Sequence, residues 1–252
     1  MTWTRKALKD SAKQELKKSF WHHVAVDLVA VLIMLAAIIP ISLIFAIPLI
    51  AAGGYITAGV MAAYWIFFLV LMASVFLIDI PLAIGIISCF MKAPHGDKKL
   101  SNMFFAFRSG NYWPIVKAMF RVNIVVMLWT LLFIIPGYVK MYQYHMVPYI
   151  LIENPGMSGK EAMRISREMT NGQKGNMFVL DLSFIGWALL AMLPYIILYT
   201  IGFISLEAGA VAIGILLVLL AVVVLIAALI VFGIYYQATF VQLYLVMREE
   251  AK

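Results

Sequence analysis

Only one of the 252 residues is cysteine, Cys89. No disulfide can form within the chain, and a cysteine-built metal cluster lacks its further ligands. Charge is scarce as well. Asp, Glu, Lys and Arg make up 12% of the residues, about half the roughly 25% usual in soluble domains. A water-soluble fold of this length needs a charged skin, and there are too few charges to make one. Catalytic signatures are missing too. His22, His23, His95 and His145 fit no His-Glu-x-x-His zinc pattern. Neither a Gly-x-x-x-x-Gly-Lys-Ser/Thr phosphate loop nor a Gly-x-Ser-x-Gly nucleophile elbow is present. The chain is therefore expected to be no enzyme and to carry no cofactor or metal. Helix-turn-helix and zinc-finger patterns are absent, so a net charge of +7 does not point to nucleic acid.

What the sequence does hold is apolar residues, 65% of the total against roughly 45–50% in soluble domains. They lie in long blocks, 24–50, 56–90, 122–135, 178–203 and 208–247. About 20 apolar residues in a row cross the hydrocarbon of a bilayer as a helix. In lipid the backbone must satisfy its own hydrogen bonds, so each block reads as helix. A transmembrane β-barrel would show short alternating segments instead. The polar leader up to Phe20, with no small-residue cleavage pattern after the first block, does not read as a cleaved signal peptide. The predicted fold class is all-α, a polytopic transmembrane helical bundle of about six spans.

Three polar stretches separate the blocks, and each reads as an amphipathic helix at the cytoplasmic face. In 3–20, Leu8, Ala12, Leu16 and Phe20 form an apolar stripe beside one of Lys6, Lys9, Lys13 and Lys17. This is the pattern of an interfacial helix with its apolar side in the acyl boundary and its lysines toward lipid phosphates. In 100–108, Leu100, Met103, Phe104 and Phe107 have helical spacing. In 158–170, Ser158 and Glu161 suit a capping box, and Ala162, Ile165 and Met169 form the stripe. Asn171-Gly172 supplies the stop. The single membrane domain then divides into an interfacial helix (1–23), a first helix pair (24–91) and a cytoplasmic connector (92–113). A second pair (114–152), an amphipathic helix (153–176) and a third pair (177–247) follow. The pairs turn at Ala51-Ala52-Gly53-Gly54, at Pro136-Gly137 and near 205–209. A faint repeat relates Ala7, Ser11 and Asp27 to Ala162, Ser166 and Asp181.

Lys and Arg favour the cytoplasmic side. With both termini inside and three hairpins, all of the 19 basic residues except Lys140 fall on that side. Residues 138–152 carry Lys140, Gln143 and His145 and are short for a span, so this piece either crosses or re-enters, leaving five crossings. Block 56–91 exceeds what the bilayer needs and is expected to kink at Pro81.

Several polar side chains fall inside these blocks. Asp79, two residues before Pro81, is an intramembrane carboxylate and so a functional candidate by default; the ordinary alternative places it near the inner interface or pairs it with Lys140, Arg121 or Lys92. Asp27 and Asp181 read more simply as acids near helix N-termini, complementing the dipole or binding arginines of the surface helices. Lys140, Gln143 and His145, with Tyr142, Tyr144, Tyr235, Tyr236 and Gln237, either line a polar pocket or form an aromatic belt with interhelical hydrogen bonds. Glu153 is expected to pair with Arg164 or Arg167. Ser183 and Gly186 are small enough for close helix approach. Lys9, Lys13, Lys17, Lys18, Arg164 and Arg167 are the expected contacts to lipid headgroups.

Particular motifs carry a resemblance. They are Leu128-Trp129-Thr130-Leu131-Leu132-Phe133-Ile134-Ile135-Pro136-Gly137, Met146-Val147-Pro148-Tyr149-Ile150-Leu151 with Glu153-Asn154-Pro155, Glu161-Ala162, Ser166-Arg167-Glu168-Met169 with Gly172, and Asp181-Leu182-Ser183-Phe184-Ile185-Gly186-Trp187. In this order they resemble the bacterial integral-membrane family known as domain of unknown function 975, with the stretch after about Leu190 matching least. The resemblance implies a bacterial plasma membrane and no particular activity. The expected role is a non-enzymatic accessory module that organises lipid or partner proteins or protects the membrane, as an immunity protein does. Its expected partners are anionic lipids, a second copy or another membrane protein. The alternatives are a small transporter or channel built on Asp79, and a lipid-modifying enzyme, for which no motif is present.

Overall fold

A computed structural model describes residues 3–55, 57–108, 110 and 112–250. Ile56, the first residue of the second block, and Lys252, counted among the inside charges, lie outside the described residues. These hold no strand. The helices are α1 (Arg5–Ala51), α2 (Ala58–Ser74), α3 (Ile80–Lys92), α4 (Phe105–Arg108), α5 (Tyr112–Leu132), α6 (Ile134–Gln143), α7 (Val147–Glu153), α8 (Gly159–Met169), α9 (Lys174–Glu207) and α10 (Val211–Glu250). Five stretches of helix are long and apolar enough to cross a membrane, Arg5–Pro48, Ala58–His95, Tyr112–Leu132, Lys174–Glu207 and Val211–Glu250. A sixth, as the three-hairpin reading expects, is not among them. The chain divides into two compact units, Met1–Val24 with Thr170–Lys252, and Ala25–Met169.

The first unit holds the start of α1 with α9 and α10. The expected break between a surface helix and a first span does not occur, because nothing in 20–24 stops a helix and α1 runs on through it. The stripe of Leu8, Ala12 and Leu16 is buried in protein, at 3%, 0% and 9% exposure. It therefore does not lie in an acyl boundary. Helices α9 and α10 form a hairpin through Ala208-Gly209-Ala210, where Gly209 takes φ 83°, close to the expected turn. Next to the turn the two helices touch at glycines. A Cβ on Gly202 would lie 3.0 Å from Val218 Cγ2, and one on Gly214 would lie 2.9 Å from the Gly202 carbonyl oxygen. Gly186, expected at a close approach, has nothing within 4 Å of its would-be Cβ.

The second unit holds the rest of α1 and α2 to α8. The turn after α1 uses Gly53 and Gly54 at positive φ, and Thr57 caps α2 by accepting from Val60 N–H. Between α2 and α3 the helix widens into a π turn, Val75–Asp79, closed by Ile80 N–H on the Val75 carbonyl. Its cause is Pro81, which has no N–H to give to the carbonyl four residues back. That carbonyl is Leu77's, and it accepts instead from the Tyr112 hydroxyl at 2.6 Å. The predicted helix at 100–108 is a 3-10 turn, Leu100–Phe104, followed by α4. It seats Met103, fully buried, against Val26, Ala30, Leu82 and Cys89.

The second hairpin turns earlier than expected. The chain reverses at Phe133, which is extended at φ −154° and ψ 134°, and Pro136-Gly137 lies inside the first turn of α6. A proline there loses nothing, since the first four N–H groups of a helix have no intrahelical partner. Gly137 lets α6 lie against α5, because a Cβ on it would sit 2.7 Å from Thr130 Cα. The next piece is broken. Ten residues of α6 rise about 15 Å, half of a roughly 30 Å hydrocarbon core, before a turn at Tyr144–Met146 leads into α7.

Candidate functional site

The broken turn is held by α8. Ser166, fully buried, donates from Oγ to the Gln143 carbonyl at 2.9 Å and accepts from Met146 N–H at 3.3 Å. Both groups are left over where α6 stops and α7 starts, and one hydroxyl satisfies both. Ser158 caps α8 by accepting from Glu161 N–H. The other half of the expected capping box is missing, because the Glu161 carboxylate pairs with Arg164 instead. Arg164 also binds Glu168 at 2.8 Å. The guanidinium holds the Glu161 carboxyl below the usual carboxylate range, and the two carboxylates hold Arg164 above its ordinary value. Of the two arginines expected to pair with Glu153, Arg164 and Arg167, Arg164 thus bonds within its own helix.

The other polar candidates of this unit make separate contacts. Lys140 Nζ reaches Gln143 Oε1 at 3.3 Å and lies 5.1 Å from the Trp129 ring. His145 stacks on Tyr149. Asp79 ends the π turn, and neither hydrogen bonds nor ion pairs link it to another described residue. Of its expected partners, Lys140 goes to Gln143 and Lys92 goes to Asn102. Asp27 stands in the middle of α1, far from either end. The helix-terminus explanation therefore fails for it.

In the first unit, α9 presents Phe184, 2% exposed, as a hub. It meets Phe232, Tyr235 and Tyr236 edge-on. Lys9 Nζ lies 4.1 Å from its ring centre and donates to the Ser183 carbonyl at 3.0 Å. Cation–π attraction of this kind is worth about 0.5–2 kcal/mol. Lys9, expected to face headgroups, is thus turned onto the protein. Asp181 accepts from the Tyr236 hydroxyl at 2.8 Å, so this acid joins α9 to α10. Lys17 and Lys18 remain exposed, with Lys18 3.8 Å from Glu15.

One turn beyond Lys9, Lys13 lines a groove of about 620 Å³. Leu16 and Phe20 of α1, Trp187, Ala191 and Pro194 of α9, and Val224 to Tyr235 of α10 form its walls. Apart from Lys13 and Tyr235 the walls are apolar, and Lys13 Nζ lies 5.8 Å from the Tyr235 ring. The volume falls within the roughly 300–1,000 Å³ of small-ligand cavities. Sequence reasoning picked out Lys13 and Tyr235 but missed the walls. Trp187, Ala191 and Pro194 do share one face by their spacing. In helices apolar all round, however, no pattern separates a groove wall from a lipid-facing side.

The stretch from α6 to the end of α9 also carries a likeness to a known family. Residues 134–209 match the family described as Protein of unknown function (DUF975). They are a DUF975 segment. This segment contains the Ser166 bracket, the Arg164 pairs, the Phe184 hub and one wall of the groove. No curated protein and no solved structure matches the chain.

Proposed function

We propose that this chain is a non-enzymatic multi-pass protein of a bacterial plasma membrane that holds anionic lipid and so organises the membrane around it. The observation that carries the reading is the groove of the first unit. Its walls suit an acyl chain, and Lys13, which lines it with Nζ 5.8 Å from the Tyr235 ring, supplies the charge that suits an anionic head. Both termini are cytoplasmic in this reading, and the chain crosses six times, the broken pair α6–α7 adding a sixth crossing to the five long helical stretches. Support for the sixth crossing comes from the second unit. Gly137 lies against Thr130 near the end of α5, whereas Gly159 lies against Ala118 near its start, 2.6 Å from would-be Cβ to Cβ. The chain has thus travelled back along α5 by twelve residues, about 18 Å. The test is the lipid that the full chain retains after purification in mild detergent, measured by mass spectrometry. Lys13→Gln is expected to lower retained anionic lipid about tenfold, the equivalent of roughly 1.4 kcal/mol. Ala228→Trp, which fills the groove, is expected to remove it. Equal retention of anionic and zwitterionic lipid, unchanged in both variants, would end the proposal.

A second reading, a small transporter or channel, draws on Asp79. A π turn in a long apolar helix often marks a functional site, and this one ends on a carboxylate with no bonded partner among the described residues. Asp79→Asn is expected to abolish proton-coupled flux in proteoliposomes. Wild-type flux in that variant would remove Asp79 from any mechanism.

A further inference from the structure

The groove of the first unit has a direction. Its α10 wall runs from Val224 to Tyr235 on one face of the helix, a rise of about 16 Å. That is about half of a roughly 30 Å hydrocarbon core, the depth of one leaflet. The α9 wall, Trp187 to Pro194, fixes which half. Between Asp181 and Glu207 the chain carries no charged residue, so the hydrocarbon lies within 182–206. Trp187 to Pro194 fall in the half of that stretch next to Asp181. In the other half the two helices close on each other at Gly202 and Gly214. Lys13, the one cation among the described lining residues, stands by Tyr235, the wall residue of α10 farthest from the hairpin turn. Apolar walls thus lie toward the bilayer centre and the positive charge toward its surface. Trp187 and Tyr235 mark that surface, where amphipathic aromatic rings gather. Trp187 and Val231 are 54% and 52% exposed, so the groove is open along its side.

We propose that the groove seats one chain of a single inner-leaflet glycerophospholipid whose head is a singly charged phosphate diester. This rests on the lipid-holding reading above and adds to it the leaflet, the orientation and the class of head. The side opening lets a two-chain lipid lay one chain in the groove and keep the other in the bilayer. The leaflet is the one on the side of the N-terminal lysines, which that reading makes cytoplasmic. Charge sets the class of head. Lys9 is turned onto Phe184 and the Ser183 carbonyl, so Lys13 is the ammonium at the groove. Its contact with the Tyr235 ring is electrostatic and leaves N–H donors for phosphate oxygens. Asp10, exposed, lies one turn before Lys13 on the same side of α1. One ammonium beside one carboxylate accepts a single negative charge and disfavours a phosphate monoester, which carries about −1.5 to −2 at neutral pH.

The experiment uses the full chain with two measurements. In mild detergent it is offered an equal mixture of phosphatidylglycerol, phosphatidic acid and phosphatidylcholine and read by native mass spectrometry. Phosphatidylglycerol is expected to be retained at one per chain, about fivefold over phosphatidic acid, the scale of one exposed charge pair. Asp10→Asn is expected to bring the two anionic lipids to parity without loss of phosphatidylglycerol. In proteoliposomes, phosphatidylglycerol carrying a photoreactive diazirine near the head or at the chain end is crosslinked and mapped by peptide mass spectrometry. The head-proximal probe is expected around Trp187 and Tyr235, and the chain-end probe around Pro194 and Val224. Preferred retention of phosphatidylglycerol with labels in that order supports the proposal. Labels in the reverse order within the groove, phosphatidic acid retained as well or better, or a ratio that Asp10→Asn leaves unchanged overturns it and leaves the lipid-holding reading standing. Labels outside the groove, or retention of neither anionic lipid over phosphatidylcholine, overturn both.

Discussion

Gly85→Ala is expected to destabilise the second unit by about 3 kcal/mol. Gly85 lies on the buried face of α3, between Leu82 and Cys89, and α3 crosses the Leu100–Phe104 turn there. A Cβ would fall on the Met103 carbonyl, 2.5 Å from its carbon and 3.1 Å from its Cα. The obstacle is backbone, and Met103 is itself fully buried in the core, so no rotamer change relieves it. Alanine gains roughly 1 kcal/mol over glycine in helix propensity. Overpacking of a tight core costs about 1–3 kcal/mol, sometimes more, and where backbone must move this cost outweighs the gain in propensity. Thermal melting of the purified protein in detergent measures this, with Gly186→Ala as the comparison. Gly186 faces open space on α9, so its alanine variant should melt as wild type or slightly higher. If the two variants melted alike, the close approach of α3 to the turn would be wrong.

Ser166→Ala should cost about 2–3 kcal/mol, a large effect for the loss of one oxygen. The substitution keeps the volume nearly constant and suits a helix better. What it removes is the bracket across the α6–α7 break, leaving the Gln143 carbonyl and the Met146 N–H without Oγ. A buried polar group left unmade costs about 1–3 kcal/mol. The loss should be local before it is global. Amide hydrogen exchange at Met146 and through α7 is expected to quicken well before that of α9. Ser166→Thr keeps the hydroxyl and should recover part of the protection if its methyl group fits. Unchanged exchange at Met146 in Ser166→Ala would show that the bracket does not hold the turn.

The two effects differ in how far they were legible beforehand. Ser166 stood in a motif, but its stripe was read from Ala162, Ile165 and Met169, and a serine inside a helix gives no sign that its hydroxyl serves another element. Gly85 gave no sign at all, because glycine occurs often in apolar helices and Gly186 looked the better candidate for close packing. The Pro136-Gly137 pair misled for a related reason. Proline with glycine signals a turn in most loops, yet the same pair is tolerated in the first turn of a helix, and only the reversal at Phe133 separates the two.

By itself the sequence determined the element type and where helices long and apolar enough to cross a membrane lie. Long apolar runs with few charges cannot face water, and a chain in hydrocarbon must close its own hydrogen bonds as helix. It also placed the caps and stops that depend on a few neighbouring residues, such as Ser158, Gly172 and Gly209. Only the tertiary structure decided where one long helix replaced two, where a predicted span broke in half, and which side chains met. Lys9 with Phe184, Tyr236 with Asp181, and Arg121 with the cations of α8 come together across long stretches of chain. The physical reason is that apolar sequence in an apolar solvent has no periodic signal to tell an inward face from an outward one. The choice falls to small residues and single hydrogen bonds, whose partners lie far away in the chain.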